Sequence, residues 1–162
     1  MEIASNEQLT INNLTTAKFL PDEYTVATLP TPSQQWLGYY AKVTDLYGDK
    51  RDLVLCTRSG TKYNWEPVRP IYAKSMEIAG DVTLYPLKSP SVVFMTGTLA
   101  AARKVNLSNE MAWNGCQFEV AFDGVLGLGS LGVLGAGITT AIPFLTGSRK
   151  RFVFDGSVWK VY

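Results

Sequence analysis

The segment RFVFDGSVWKVY (151–162) carries the pattern that decides the fold of this chain. Its centre, Asp155-Gly156, lies between two apolar runs, and glycine accepts a positive φ in a tight turn without steric cost. Before the turn, Phe152 and Phe154 lie on one face of an alternating strand, and Trp159 begins a second alternating run after it. The segment therefore predicts a β-hairpin with two largely apolar or aromatic faces, one for the chain's own core and one for another chain.

A related phrase, DLVLCTRSGTKYNWEPV (52–68), also places a glycine turn between an apolar strand and a tryptophan. Short runs rich in β-branched and aromatic residues, separated by Gly and Pro, recur along the rest of the chain. Such spacing is typical of all-β proteins. We therefore expect an all-β fold of one or two small antiparallel β-sandwich or barrel-like modules.

Composition shifts divide the chain into three parts. Residues 1–21 are polar and form a predicted N-terminal arm, which would act as a tether. Residues 22–72 form the predicted first β module. Pro67 and Pro70 interrupt strand pairing near its end. The second predicted β module spans residues 77–162.

Composition also bears on function. The net charge of +1 provides no global field toward nucleic acid or an acidic membrane, so we expect neither partner. The 162 residues include no histidine, which removes the commonest general base and metal ligand. Cys56 and Cys116 lack metal-site spacing and are predicted to be reduced and buried. We therefore predict a protein without catalytic residues, cofactor or metal, and hence not an enzyme.

Two motifs resemble ligand-binding patterns, one for dinucleotides and one for calcium, but their neighbouring residues do not fit those sites. GLGSLG (127–132) matches a dinucleotide-binding loop, but that loop must open a helix, and the following glycines and β-branched residues disfavour one. We interpret these glycines as relief of crowding along bent strands. Asp45, Asp49 and Asp52 do not have the spacing of a calcium loop, so a solvated turn is predicted there.

The N-terminal sequence lacks a basic start and an apolar run, so no secretory signal is expected, and the protein should fold in a cytoplasm.

Residues 124–148 carry no charge at all, a span of 25 residues. This length is sufficient for a membrane span. However, the segment contains seven glycines and one proline, which disfavours a membrane span. An internal pair of strands that packs against other chains is the preferred interpretation. The predicted oligomer contacts lie in this span and in the closing hairpin: Val125, Leu126, Leu128, Leu131, Val133, Leu134, Ile138, Trp159 and Tyr162.

Both halves of the chain resemble β modules of tailed-phage virion proteins. YTVATLPTPSQQWLGYYAKVTD with LVLCTRSGTKYNWEPV resembles a module of phage tail fibres and head fibres. The second half resembles another virion module with the phrases "TGTL.A.R.V.LS", "G..F.V" and "DG..W". The matching residues are Thr96, Gly97, Thr98, Leu99, Arg103, Val105, Leu107, Ser108, Gly115, Phe118, Val120, Asp155, Gly156 and Trp159.

The resemblance implies a non-enzymatic structural protein of the phage particle that assembles as a homotrimer. We see neither internal repeats nor heptads, which a long fibre would need, and the closing hairpin ends at Tyr162. We therefore expect a compact capsid decoration (cement) protein, located in the virion and bound to the major capsid protein. A small tail, baseplate or fibre component, bound to a tail structural protein, is the alternative.

The alternative includes binding of host glycans. Trp36, Tyr39 and Tyr40 lie beside polar Gln34 and Gln35, and aromatic rings of this kind stack on sugars. A core or interface role for the same three aromatic residues is the preferred interpretation, and glycan stacking is the rival one.

Overall fold

In a computed structural model, the chain is described over residues 17–162, together with the backbone of residues 10–11 and 14–15. The predicted all-β class is confirmed, and the single helix within that described part is a 3-10 turn at Gln34–Trp36. The chain forms two compact units, unit 1 (Met1–Pro70) and unit 2 (Ile71–Tyr162). The predicted arm lies largely outside the described residues.

Unit 1 contains a four-stranded sheet in the order β3-β4-β5-β6, and a separate two-stranded pair, β1-β2. The strands are β1 (Thr10–Ile11), β2 (Leu14–Thr15), β3 (Lys18–Tyr24), β4 (Tyr39–Leu46), β5 (Lys50–Ser59) and β6 (Lys62–Pro67). β3 runs parallel to β4, and the other neighbours in this sheet are antiparallel. The sheet therefore takes in residues 18–21, which were predicted to belong to the arm.

The β-branched and aromatic residues of YTVATL (24–29) predict a strand, but the structure has a turn there instead. Beyond Tyr24 the backbone folds back, because the Thr25 N–H binds the Thr28 hydroxyl at 2.9 Å and the Thr28 N–H binds the Thr25 carbonyl at 3.1 Å. Threonine side chains that bind nearby backbone groups compete with strand pairing in this way. The turn allows the chain to cross one face of the sheet.

The segment 25–37 covers the inner face of this sheet. The Trp65 indole N–H donates to the Pro30 carbonyl at 2.8 Å, and the Val26 N–H donates to Asp45 Oδ1 at 2.6 Å. The buried residues are Val26 from the segment itself and, from the sheet beneath it, Ala41, Val43, Val54, Cys56 and Trp65. The small core of unit 1 thus lies between one sheet and the segment 25–37.

Unit 2 contains two sheets, in the orders β15-β14-β11-β9-β7 and β13-β12-β10-β8. The strands are β7 (Ala73–Glu77), β8 (Val82–Leu84), β9 (Val92–Thr96), β10 (Arg103–Leu107), β11 (Gln117–Phe122), β12 (Leu131–Gly135), β13 (Ile138–Phe144), β14 (Arg149–Phe154) and β15 (Trp159–Val161). From β7 to β12 the chain alternates between the two sheets. β7 lies in the stretch that was predicted to separate the modules.

The pairing in unit 2 is that of a short β-solenoid. β7, β9 and β11 pair in parallel in one sheet, and β8, β10 and β12 do so in the other, which makes three stacked coils. The chain then turns at Ala136-Gly137 and returns as β13 and β14, antiparallel to β12 and β11. The predicted antiparallel sandwich is therefore wrong for unit 2, because parallel strands join here through the opposite sheet rather than through hairpins.

The coils correspond to an internal repeat, which corrects the expectation that the chain has none. VVFMTGTL (92–99) aligns with EVAFDGVL (119–126), since β9 pairs with β11 and Thr98 bridges Val125. The repeat is difficult to see because its period varies: Val82 pairs with Val105 after 23 residues, and Val105 with Val133 after 28. Insertions at the corners change the period without disturbing the ladders.

The core of unit 2 lies between its two sheets and includes one face of the closing hairpin. Phe152, Phe154 and Trp159 are buried, and the Trp159 ring centroid lies 5.4 Å from that of Phe118. The hairpin turn is an Asx-type turn in which Asp155 Oδ1 accepts the N–H groups of Ser157 and Val158. These two hydrogen bonds lower the pKa of the Asp155 carboxyl.

Close stacking of the coils requires glycine at two corner positions. A Cβ atom on Gly124 would lie 2.3 Å from the Gly97 carbonyl oxygen, and one on Gly129 would lie 2.3 Å from the Ala101 carbonyl oxygen. Both contacts are with backbone, which cannot move without separating the coils. Gly124 and Gly129 therefore permit one coil corner to approach the next.

We expect Gly129→Ala to lower the free energy of unfolding of unit 2 by about 1–3 kcal/mol, because the new methyl group overlaps backbone. Gly80→Ala is the matched control, since no atom lies within 4 Å of its Cβ position. Chemical denaturation of both variants measures the difference. Equal unfolding free energies for the two variants would contradict the close-stacking explanation.

The stability of unit 1 should depend on pH because of Asp52. Burial opposes ionisation of this carboxyl, but hydrogen bonds from Arg69 at 2.8 Å and from the Leu53 N–H, with the charge of Arg69, outweigh it and lower its pKa. The resulting stability is present above the unfolded pKa of about 3.9 and is lost as pH falls through the lower folded value. When unfolding is measured at decreasing pH, the free energy of unfolding should therefore fall less for Asp52→Asn than for wild type. The exposed control Asp22→Asn should follow wild type. Parallel curves for wild type and Asp52→Asn would refute this role.

Candidate functional site

Three large apolar side chains face solvent at one corner of unit 2. They are Val125 (59% exposed), Leu128 (97%) and Leu145 (69%), and we call them the apolar corner. Val125 and Leu128 lie in the connection from β11 to β12, and Leu145 lies in the connection from β13 to β14. The return of the chain after β12 thus brings two connections to the same corner.

Backbone hydrogen bonds hold the apolar corner in place. The Val125 N–H donates to the Gly97 carbonyl at 2.9 Å, and the Thr146 hydroxyl donates to the Gly124 carbonyl at 2.9 Å. The Gly147 N–H donates to the Phe122 carbonyl at 2.7 Å. A surface fixed in this way loses little conformational entropy on binding, which favours association.

The structure divides the predicted interface residues into two groups. Val125, Leu128 and Tyr162 are exposed, Leu134 is half-buried, and Leu126 packs partly against the core. The remaining four, Leu131, Val133, Ile138 and Trp159, are buried in the core of unit 2 itself. Leu131, Val133 and Ile138 were predicted as contacts because their strands, β12 and β13, were expected to pack on another chain, and Trp159 because one face of the closing hairpin was expected to do so. All four instead pack in the core of their own unit.

Sequence reasoning missed Leu145. It lies near the end of the uncharged span 124–148, so the signal was present. The sequence GITTAIPFL (137–145) predicts one strand that includes Leu145, but β13 ends at Phe144, and the next residue turns outward at the corner. The prediction of contacts with other chains therefore narrows to the apolar corner and Tyr162.

Tyr162 lies beside a charged row on the outer face of the five-stranded sheet. Its backbone N–H donates to the Arg151 carbonyl at 2.8 Å, and its side chain is 78% exposed. On the same face, Glu119 forms ion pairs with Arg149 at 3.1 Å and with Arg151 at 3.8 Å. This face is thus mixed in character, unlike the uncharged apolar corner.

The predicted glycan-binding trio does not form one surface. Tyr39 and Tyr40 are neighbours in β4, so their side chains point to opposite faces of the sheet. The Trp36 ring contacts Tyr39 edge to face, with centroids 5.9 Å apart. Tyr40 instead stacks on Phe19, with centroids 5.3 Å apart. Of the trio, the structure joins Trp36 and Tyr39 only.

The other two motifs have structural roles. GLGSLG (127–132) leads into strand β12 rather than a helix, so it lacks the helix N-terminus that holds a pyrophosphate. Asp45 binds the Val26 N–H, Asp52 pairs with Arg69, and Asp49 lies 3.7 Å from Lys50. The three aspartates therefore have separate partners.

Cys56 and Cys116 are buried as thiols, and burial raises the pKa of the Cys56 thiol despite its contact with the Ser33 carbonyl. Within the described residues, no three His, Cys, Asp or Glu side chains are placed to hold a metal ion together. The same part of the chain contains no helix that is both long and apolar enough to cross a membrane.

Comparison with models of protein families, with curated proteins and with solved structures finds no match to this chain.

Proposed function

We propose that this protein is a non-enzymatic structural protein of a tailed-phage particle, a homotrimeric decoration protein bound to the major capsid protein. The apolar corner is the observation that carries the assembly part of the proposal. Its three side chains stay in water in a single chain, and complete burial of one leucine is worth about 1.5–3 kcal/mol. The resemblance of both halves to phage virion modules supports the location in the particle.

A second copy of the chain is the partner that fits the apolar corner best. The span 124–148 carries no charge, so nothing in it repels an identical surface. Obligate interfaces between identical subunits are more apolar than transient ones, and their centres are poor in charge. A contact that closes on itself after three copies would bury the corner of every subunit.

One observation favours the alternative, a small tail, baseplate or fibre component. Unit 2 is a stack of coils, and stacked coils are quasi-one-dimensional elements that suit an elongated particle part. The absence of repeats was an argument against a fibre, and the register of β9 with β11 removes it. The copy number in purified particles distinguishes the two: hundreds of copies indicate the capsid, and a handful indicate the tail.

We expect wild-type protein to sediment as a trimer at about 10 µM, and Leu128→Asp with Leu145→Asp to weaken association on the order of 100-fold, because each carboxylate would lose its hydration in the contact. The matched control is Ser75→Asp with Thr83→Asp, which adds the same charge at exposed positions of the first coil. Sedimentation equilibrium at low and high salt measures the mass, which should not depend on salt.

A monomeric wild type at this concentration would contradict the assembly proposal. A trimer that survives the Leu128 and Leu145 substitutions would instead place the contact elsewhere on the chain.

A further inference from the structure

The inner face of the unit 1 sheet ends in a group of aromatic and cationic side chains. Lys18 pairs with Tyr39, and Arg58 pairs with Tyr63, on the face that also carries buried Cys56. Lys18 Nζ lies 5.3 Å from the Tyr39 ring centroid, and Arg58 Cζ lies 5.6 Å from that of Tyr63. The sheet thus presents two rings and two cations at one end.

The 3-10 turn adds two more side chains to this end. Trp36 meets Tyr39 with an interplanar angle of 87°, and the Tyr63 hydroxyl donates to Gln34 Oε1 at 2.5 Å. The turn therefore contacts both β4 and β6. We call Lys18, Gln34, Trp36, Tyr39, Arg58 and Tyr63 the aromatic end.

Among the residues that the structure describes, no carboxylate compensates the positive charge of the aromatic end. Within the described residues, neither Lys18 nor Arg58 has a carboxylate within ion-pair distance. Arg58 uses its Nε–H for the Gly60 carbonyl at 2.8 Å, which leaves its two terminal amino groups for a ligand. Arg58 and Gln34 are exposed, and the three rings are half-buried.

We propose that the aromatic end binds an acidic carbohydrate, a glycan that contains uronic or sialic acid residues. The guanidinium of Arg58 suits a carboxylate in bidentate geometry, and the rings offer apolar surface to the C–H face of a sugar. The amide N–H groups of Gln34 suit a hydroxyl. The proposal concerns unit 1 alone and is independent of the assembly surface in unit 2.

Isothermal titration of the full chain with a hyaluronan hexasaccharide, which alternates uronic acid and N-acetylhexosamine, tests the proposal. Neutral chitohexaose and a tetraglutamate peptide are the comparison ligands. We expect the hyaluronan fragment to bind at least about tenfold more tightly than either, since it alone supplies both carboxylates and sugar faces. Equal affinity for tetraglutamate would indicate an acidic protein partner, equal affinity for chitohexaose would remove the role of charge, and no binding would overturn the proposal.

Single substitutions test whether the glycan binds at the aromatic end. We expect Arg58→Gln to weaken hyaluronan binding about tenfold or more, because a charge-assisted bidentate contact is lost, and Trp36→Ala to weaken it as well. Lys42→Gln is the matched control, since Lys42 is an exposed cation on the opposite face of β4. Tyr40→Leu should also leave binding unchanged. Because Arg58 is exposed, its variant is expected to fold, and wild-type affinity in Arg58→Gln would overturn the assignment.

Discussion

Parallel backbone pairing between successive coils is the constraint on which the rest of unit 2 depends. β9 pairs with β11, and β10 pairs with β12, so each connection from β7 to β12 crosses to the other sheet. Each crossing produces a corner, and the corners must stack as closely as the strands do. Gly124 and Gly129 meet this requirement because any larger residue would overlap the carbonyl of the coil beneath.

The reversal at Ala136-Gly137 ends this stacking and creates the exposed surface. β13 and β14 return across both sheets in antiparallel pairing and cover the edges of β12 and β11. The return path adds the β13–β14 connection to the corner that carries the β11–β12 connection, so Leu145 comes to the same side as Val125 and Leu128. The uncharged span is therefore partly interior and partly surface: its strands fill the core, and its turns carry the apolar corner.

Local structure could be predicted from the sequence, but the partners of the strands could not. Alternation placed Phe152 and Phe154 on one face, and the structure buries both. Trp159, predicted as a contact with another chain, is buried beside them in the core of its own unit. The alternating pattern predicts which face of a strand a residue occupies, but it does not predict whether the neighbouring strand is parallel or antiparallel. Variable corner lengths hid the repeat, and an expected strand at residues 24–29 became a turn through threonine hydrogen bonds. The separation of Tyr39 from Tyr40 followed from the same alternation and was missed.

The central claim is that copies of this chain meet at the apolar corner. The most direct measurement replaces Leu128 with the photoreactive residue p-benzoylphenylalanine, irradiates the purified protein and maps the cross-linked peptides by mass spectrometry. The account predicts cross-links between subunits that join this position to residues 124–148 of another copy. Cross-links only within one chain, or to a different region of the second copy, would contradict it.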